Sequence, residues 1–195
     1  MVAGRKREFN EEEVLECAAS LFKSRGYTAT TTEDLLGAMN INKGSLYNSF
    51  GSKRELFISV LNYYSDKYVS GFILSLEKSK DPIAAIKNSF LDVAKRETEV
   101  SKSQGCFLGN TVMEQASLDE DLQAIAADML KRLEMVYYKH IKNAQAAGTL
   151  KTKQNPRLLA RHLTNLWNGI NLTARMYGSP KELLPLIKMN LDLVY

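Results

Sequence analysis

Apolar residues recur three and four positions apart along most of the chain, the spacing that lays a stripe down one face of an α-helix. Val14, Leu15, Ala18, Leu21 and Phe22 form the first stripe, opened by Asn10 and Glu13 in the manner of a capping box and closed at Gly26. Cys17, beside Ala18, reads as a small core residue. Leu35, Ala38 and Met39 make a second stripe, Leu46 and Phe50 a third, and Phe57, Val60, Leu61, Tyr64 and Tyr68 a fourth. Asp81 and Pro82 open a helix carrying Ile83, Ile86, Phe90 and Val93, and a short apolar segment runs from Cys106 to Ala116. Ser117 and Glu120 cap a long helix carrying Leu122, Ile125, Met129, Leu133, Val136, Tyr137 and Ile141, which stops at Gly148. Asn155 with Pro156 and Ser179 with Pro180 start the last two helices, each placing proline at the first helical position, where the missing N–H is no loss. Pro185 is expected to kink the final helix or delay its start. No alternation of period two persists, so the pattern predicts an all-α chain of about nine helices.

The stretch Thr31 to Leu56 carries the densest local signals. Thr31 caps a helix whose third residue is Asp34, and Asn40 ends it at a position that wants a left-handed backbone. Asn42 caps the next helix, with Ile41 and Leu46 spaced as a hydrophobic staple, and Ser52 with Glu55 form a capping box for the one after. If Leu46 and Phe50 bury one side of the short middle helix, Lys43, Gly44, Ser45, Tyr47 and Asn48 stay outside. A cation, a residue permitting close backbone approach and three hydrogen-bonding side chains suit phosphates and base edges. Lys53 and Arg54 sit in the first turn of the following helix, against its dipole, a placement that makes sense if an anion such as a DNA phosphate is expected there. Residues 31–50 therefore read as a helix-turn-helix directed at the major groove. Gly37, inside its first helix, costs about 1 kcal/mol relative to alanine and has no evident role.

Charge sharpens this only through its distribution. From Leu35 to Arg54 there are three cations and no carboxylate, yet over Met1 to Val60 eight Lys and Arg are balanced by eight Asp and Glu. Arg5, Lys6 and Arg7 form a basic arm that either reaches phosphates or the minor groove or is an ordinary terminus.

The run F22-x-x-x-G26-Y27, T31-T32 and K43-G44-S45-L46-Y47-N48-x-F50-x-x-K53-x-E55-L56 resembles the amino-terminal domain of TetR-type transcriptional regulators, closely over Phe9 to Leu61 and loosely beyond. The resemblance implies that Thr31 or Thr32, Lys43, Tyr47 and Lys53 contact phosphates, and that Ser45 and Asn48 lie where bases are read. With Asn42 and Gly44 these make up the expected DNA-binding set. Asn40 departs from the glycine usual at the family's turn but keeps the required backbone. The expected organisation is a DNA-binding domain over 8–68, with its three-helix helix-turn-helix, followed by an effector-binding and dimerisation domain over 69–195. No Gly/Ser linker intervenes, so the helix after Ser52 is expected to belong to both and couple them.

The last two helices are apolar on more than one face, from Leu159 to Tyr177 and from Leu183 to Val194. Burial within one chain would explain this, and so would a symmetric four-helix interface, which the resemblance favours. Between that interface and the DNA readers lie helices rich in Tyr, Phe and Met, where TetR-like proteins commonly hold an effector, and a small apolar or aromatic molecule is the expected kind. Asn110, Glu114, Asn168 and Asn171 are polar residues within apolar helical stretches, and Phe107, Asn110, Met113, Trp167 and Asn171 are the candidate lining residues. Cys106 follows Gly105 at a helix start, a setting that favours thiol reactivity, although a small core thiol is the plainer reading.

His140 and His162 are the only histidines, and neither stands in a catalytic spacing with Ser, Cys or a carboxylate, so an enzyme is not expected. Cys17 and Cys106 imply neither a disulfide framework nor a zinc site, and no cofactor or metal is expected. GRKREFNEEE lacks an apolar h-region and no later stretch approaches eighteen uncharged apolar residues, which points to a cytoplasmic protein without a membrane partner. The expected function is a homodimeric DNA-binding regulator, a repressor of a palindromic operator released by a small effector. The alternatives are a ligand-independent activator and a thiol-based sensor acting through Cys106.

Overall fold

A computed structural model describes residues 9–95, 105–177 and 179–194. The basic arm at Arg5, Lys6 and Arg7 lies outside the described residues. The helices are α1 (Glu11–Arg25), α2 (Thr32–Met39), α3 (Lys43–Phe50), α4 (Lys53–Tyr64), a π-helical turn (Ser65–Val69), α5 (Ser70–Lys78), α6 (Pro82–Ala94), α7 (Phe107–Gln115), α8 (Glu120–Ala146), α9 (Pro156–Tyr177) and α10 (Pro180–Leu191). With Lys53–Lys78 taken as one run, these are nine helices, and no strand occurs among the described residues. The chain separates into two compact units, one ending at Lys67 and the other beginning at Tyr68.

In the first unit α1 supplies Val14, Ala18 and Phe22 to a core shared with Leu35, Met39, Leu56 and Val60. Phe22 meets Phe57 edge-on at 4.7 Å, and Tyr27 lies 4.8 Å from the same ring. Ala38 is exposed, because Leu35 and Met39 hold the buried line of α2 and the half-buried Leu36 widens it on the side away from Ala38. Cys17 is also exposed, on the side of α1 opposite Val14, Ala18 and Phe22, and so is not a core residue. A polar strap joins α1 to the end of α4. Tyr63 donates to Glu16 at 2.6 Å, and Lys67 donates to Glu16 at 2.8 Å and to Tyr63 Oη at 2.6 Å. Burial, followed by the bond to Glu16, pushes the Tyr63 phenol up, while the bonds to Glu16 and Tyr63 raise the Lys67 ammonium above its usual range.

The second unit is built on Tyr137 and Ile141 of α8, Phe90 of α6, Leu163 and Ile170 of α9 and Ile187 of α10. Phe90 stands edge-on to Trp167 at 5.7 Å and near Tyr137 at 6.2 Å. The cap of α8 is Asp119 rather than Ser117: Leu118 and Asp119 still bond back to Gln115, so the chain is finishing the previous helix, and Asp119 Oδ1 accepts from Leu122 N at 3.0 Å. Helix α10 starts at Pro180 without delay and runs through Pro185, whose ring nitrogen cannot complete the bond to the carbonyl four residues back. No helix of the described residues is long and apolar enough to cross a membrane.

Candidate nucleic-acid interface

Three caps and one glycine build the reading helix in place. Thr31 and Asp34 complete a reciprocal capping box on α2: Asp34 N donates to Thr31 Oγ1 at 3.1 Å and Thr31 N to Asp34 Oδ2 at 3.0 Å. Asn40 ends α2 in the left-handed region, φ 51° and ψ 44°, and is the one positive-φ residue besides glycine among the described residues. Asn42 Oδ1 then accepts from Ser45 N at 2.8 Å and starts α3. Gly51, with φ 80°, closes α3 as its N–H donates to Tyr47 O, and Ser52 Oγ accepts from Glu55 N at 3.1 Å to start α4. The Glu55 carboxylate lies beside Arg54 at 3.7 Å.

Leu46 and Phe50 are buried, while Lys43, Gly44, Tyr47 and Asn48 are exposed and Ser45 is half-buried behind its cap. The outward face of α3 therefore offers a cation, a phenol and a side-chain amide with no carboxylate among them. Gly44 leaves the backbone bare, and a Cβ there would press on Asn42 Oδ1 at 3.3 Å. Thr31 is exposed with its hydroxyl donating to Asp34 Oδ2 at 2.7 Å, and Thr32 is half-buried. The Lys53 ammonium rests 4.4 Å from the centre of the Tyr27 ring. This contact of Tyr27 was not legible beyond its place in the motif, whose spacing was the available signal.

Asp34 ties this cap to α1, accepting from Arg25 Nη1 at 2.8 Å. Hydrogen bonds from the Thr31 hydroxyl and backbone, then from Arg25, hold its carboxyl below the ordinary value of 3.8. A depressed carboxylate contributes stability that is present above its unfolded value and lost as pH falls through its folded one. Wild type is therefore expected to be more stable than Asp34→Asn near neutrality, with the difference closing as pH drops below 3.8, as read by thermal unfolding at several pH values. A difference independent of pH would refute the assignment.

The candidate effector residues divide. Phe107 is buried, Asn171 is buried with Nδ2 donating to Trp167 O at 2.8 Å, and Trp167 and Asn110 are half-buried. Met113 is 75% exposed, on the side of α7 away from Phe107, Thr111 and Gln115, and is not an interior residue of its unit. Two side-chain atoms nearby, Gln115 Nε2 and Asn168 Oδ1, are buried without a hydrogen-bond partner among the described residues. Asn168 Oδ1 comes so close to Gly109 that a Cβ there would lie 2.8 Å from it. Gln115 escaped sequence reasoning, although its spacing of four from Thr111 and eight from Phe107 places it on the buried face of α7. Cys106 is the N-cap of α7, its Sγ accepting from Gly109 N at 3.4 Å, and is half-buried.

Residues 14–60 match the family described as bacterial regulatory proteins, tetR family, and residues 80–188 match the tetracyclin repressor-like, C-terminal domain. An uncharacterized HTH-type transcriptional regulator of Bacillus subtilis, YezE, is 26% identical, with 98% of this chain and 99% of that protein covered. The HTH-type transcriptional repressor ComR of Escherichia coli is 28% identical over 97% of this chain and 91% of its own length. A solved structure of a cysteine mutant of the TetR family regulator CifR, complexed with 26 bp double-strand operator DNA, superposes with a TM-score of 0.84 at 21% identity, covering 96% of this chain and 98% of that one.

Proposed function

The chain belongs to the TetR family of bacterial regulatory proteins, and from that premise we propose that it acts as a homodimeric repressor whose grip on a palindromic operator is released by a small effector. That it is a helix-turn-helix DNA-binding regulator rather than an enzyme follows from the family itself. In the proposed division of labour, residues 8–68 bind DNA and 69–195 bind effector and partner. The observation carrying the reading is the acid-free outer face of α3, seated by Leu46 and Phe50 and aimed by the Asn42 cap. Lys43, Tyr47, Lys53 and Thr32 take phosphates, while Ser45 and Asn48 reach base edges. One such helix makes too few contacts for specific binding, whereas two linked copies act at high effective concentration on half-sites about 34 to 36 Å apart. Support for a dimer comes from α9, where Leu158, Asn165, Gly169, Leu172 and Met176 stay exposed on one face and Gly169 leaves room for close approach. Support for an effector comes from Gln115 Nε2 and Asn168 Oδ1, since each unpaired buried polar group costs about 1–3 kcal/mol that a bound molecule would recover. A ligand favouring conformers with misplaced reading helices would shift the population off DNA.

Lys53→Ala is expected to weaken binding to all duplexes alike and to lower the salt slope by about 1 per monomer, and Asn48→Ala to change which bases are preferred. Salt-dependent titration of both variants on selected inverted repeats tests this. Unchanged affinity of Lys53→Ala at every salt concentration would overturn the phosphate role.

A second reading, favoured by the Sγ of Cys106 lying at the start of α7 on the Gly109 amide, makes that thiol a sensor of oxidants or electrophiles. In native protein both cysteines should then react with a maleimide, the exposed Cys17 serving as reference. Labelling confined to Cys17 until denaturant is added removes this reading.

A further inference from the structure

The start of α6, the last turns of α8 and the loop that follows it enclose an open cleft of about 690 Å³ that neither the reading helix nor the interior polar groups use. That volume is in the range that takes a small organic ligand. Lys80, Lys87 and Lys151 line it, and Asp81 is the one carboxylate among its lining residues. Asp81 faces inward as a cap, its Oδ1 accepting from Ala84 N at 2.9 Å. An anion entering the cleft would meet lysine side chains from both of its walls. Ile83 and Leu150 give the same cleft an apolar wall, Leu150 being buried.

His140 is the independent observation. It lines the cleft, is only 8% exposed, and its Nε2 is buried with no hydrogen-bond partner among the described residues. Burial, and then the neighbouring Lys139, hold the imidazole below the usual histidine range against an opposing pull from Glu77, so the ring is neutral near pH 7. A neutral ring nitrogen left unpaired in the protein interior carries a desolvation cost that a ligand atom would remove.

We propose that this cleft is a second ligand site that binds a small organic anion, its carboxylate or phosphate held by Lys80, Lys87 and Lys151, its carbon stem against Ile83 and Leu150, with one hydrogen bond to His140 Nε2. The site is separate from the Gln115 and Asn168 groups to which the effector is assigned, and it stands whether or not that assignment does.

Because His140 and His162 are the only histidines, long-range proton–nitrogen spectra of the full-length chain resolve both rings. Phenyl phosphate and benzoate, added at constant ionic strength, are expected to shift the His140 nitrogens saturably and leave His162 in place, with benzyl alcohol producing no saturable change. Whichever anion binds more tightly identifies the preferred headgroup. The double variant Lys80→Ala/Lys151→Ala, both lysines being exposed, should unfold at the wild-type temperature and bind at least about tenfold more weakly. Absence of a saturable His140 shift up to about 10 mM of either anion overturns the proposal, as does undiminished affinity in the double variant. Equal affinity for inorganic phosphate and phenyl phosphate would overturn the role given to the apolar wall.

Discussion

Leu46→Ala is expected to abolish operator binding although it substitutes none of the side chains proposed to face DNA. Leu46 is fully buried, and truncating such a leucine typically costs about 2–5 kcal/mol. Helix α3 has only eight residues, too few to persist without tertiary contacts, and Leu46 and Phe50 are its two buried anchors. The first unit is small, so a loss of that size is a large part of what stabilises it. At roughly 4–8 °C per kcal/mol, its unfolding midpoint should fall by about 10 °C or more. Leu46→Met, which nearly conserves volume, should cost less than about 1.5 kcal/mol and keep DNA binding. Indistinguishable melting of the two variants would show that α3 is not held as described.

The second large effect is expected at the other end of the chain. Met176 and Met189 are 68% and 64% exposed on α9 and α10, so glutamates there would bury no charge within one chain. Within a symmetric interface the same substitutions would place like charges together and desolvate them. Met176→Glu/Met189→Glu should therefore stay folded by circular dichroism, sediment as a monomer, and lose about 10²- to 10⁴-fold in operator affinity as two linked half-sites become independent. A variant that remains dimeric, or whose affinity changes less than tenfold, would exclude this face as the partner surface.

The two effects differ in how far they were visible beforehand. Leu46 and Phe50 were legible because α3 lies between strong local signals, the Asn42 cap on one side and Ser52 with Glu55 on the other. The left-handed Asn40 was legible for the same reason, since few residues tolerate that backbone. Local rules failed where two patterns competed. Tyr64 and Tyr68 are four apart and were expected to continue one buried stripe, but the π-helical turn inserts an extra residue per turn. Tyr68 is consequently 42% exposed, while Ser65 and Val69 are buried. Ser117 met the sequence requirements of a cap but was still engaged in the turn that ends α7, leaving the role to Asp119. Met113 shared the helical segment of Phe107 yet faces out.

What the amino-acid order determined alone was whatever depends on neighbours within about four residues: the helical period, the caps, the proline starts of α6, α9 and α10, and the family signature from Phe22 to Leu56. Only the tertiary structure decided which groups from distant segments meet. It set the Lys53 ammonium over the Tyr27 ring, left Gln115 and Asn168 with buried unpaired atoms, and brought His140 to one cleft with Lys80, Lys87 and Lys151. Helical periodicity limits which face of a segment is buried, but not which segment covers it or whether a buried polar atom finds a partner, because those depend on packing between residues far apart in the chain.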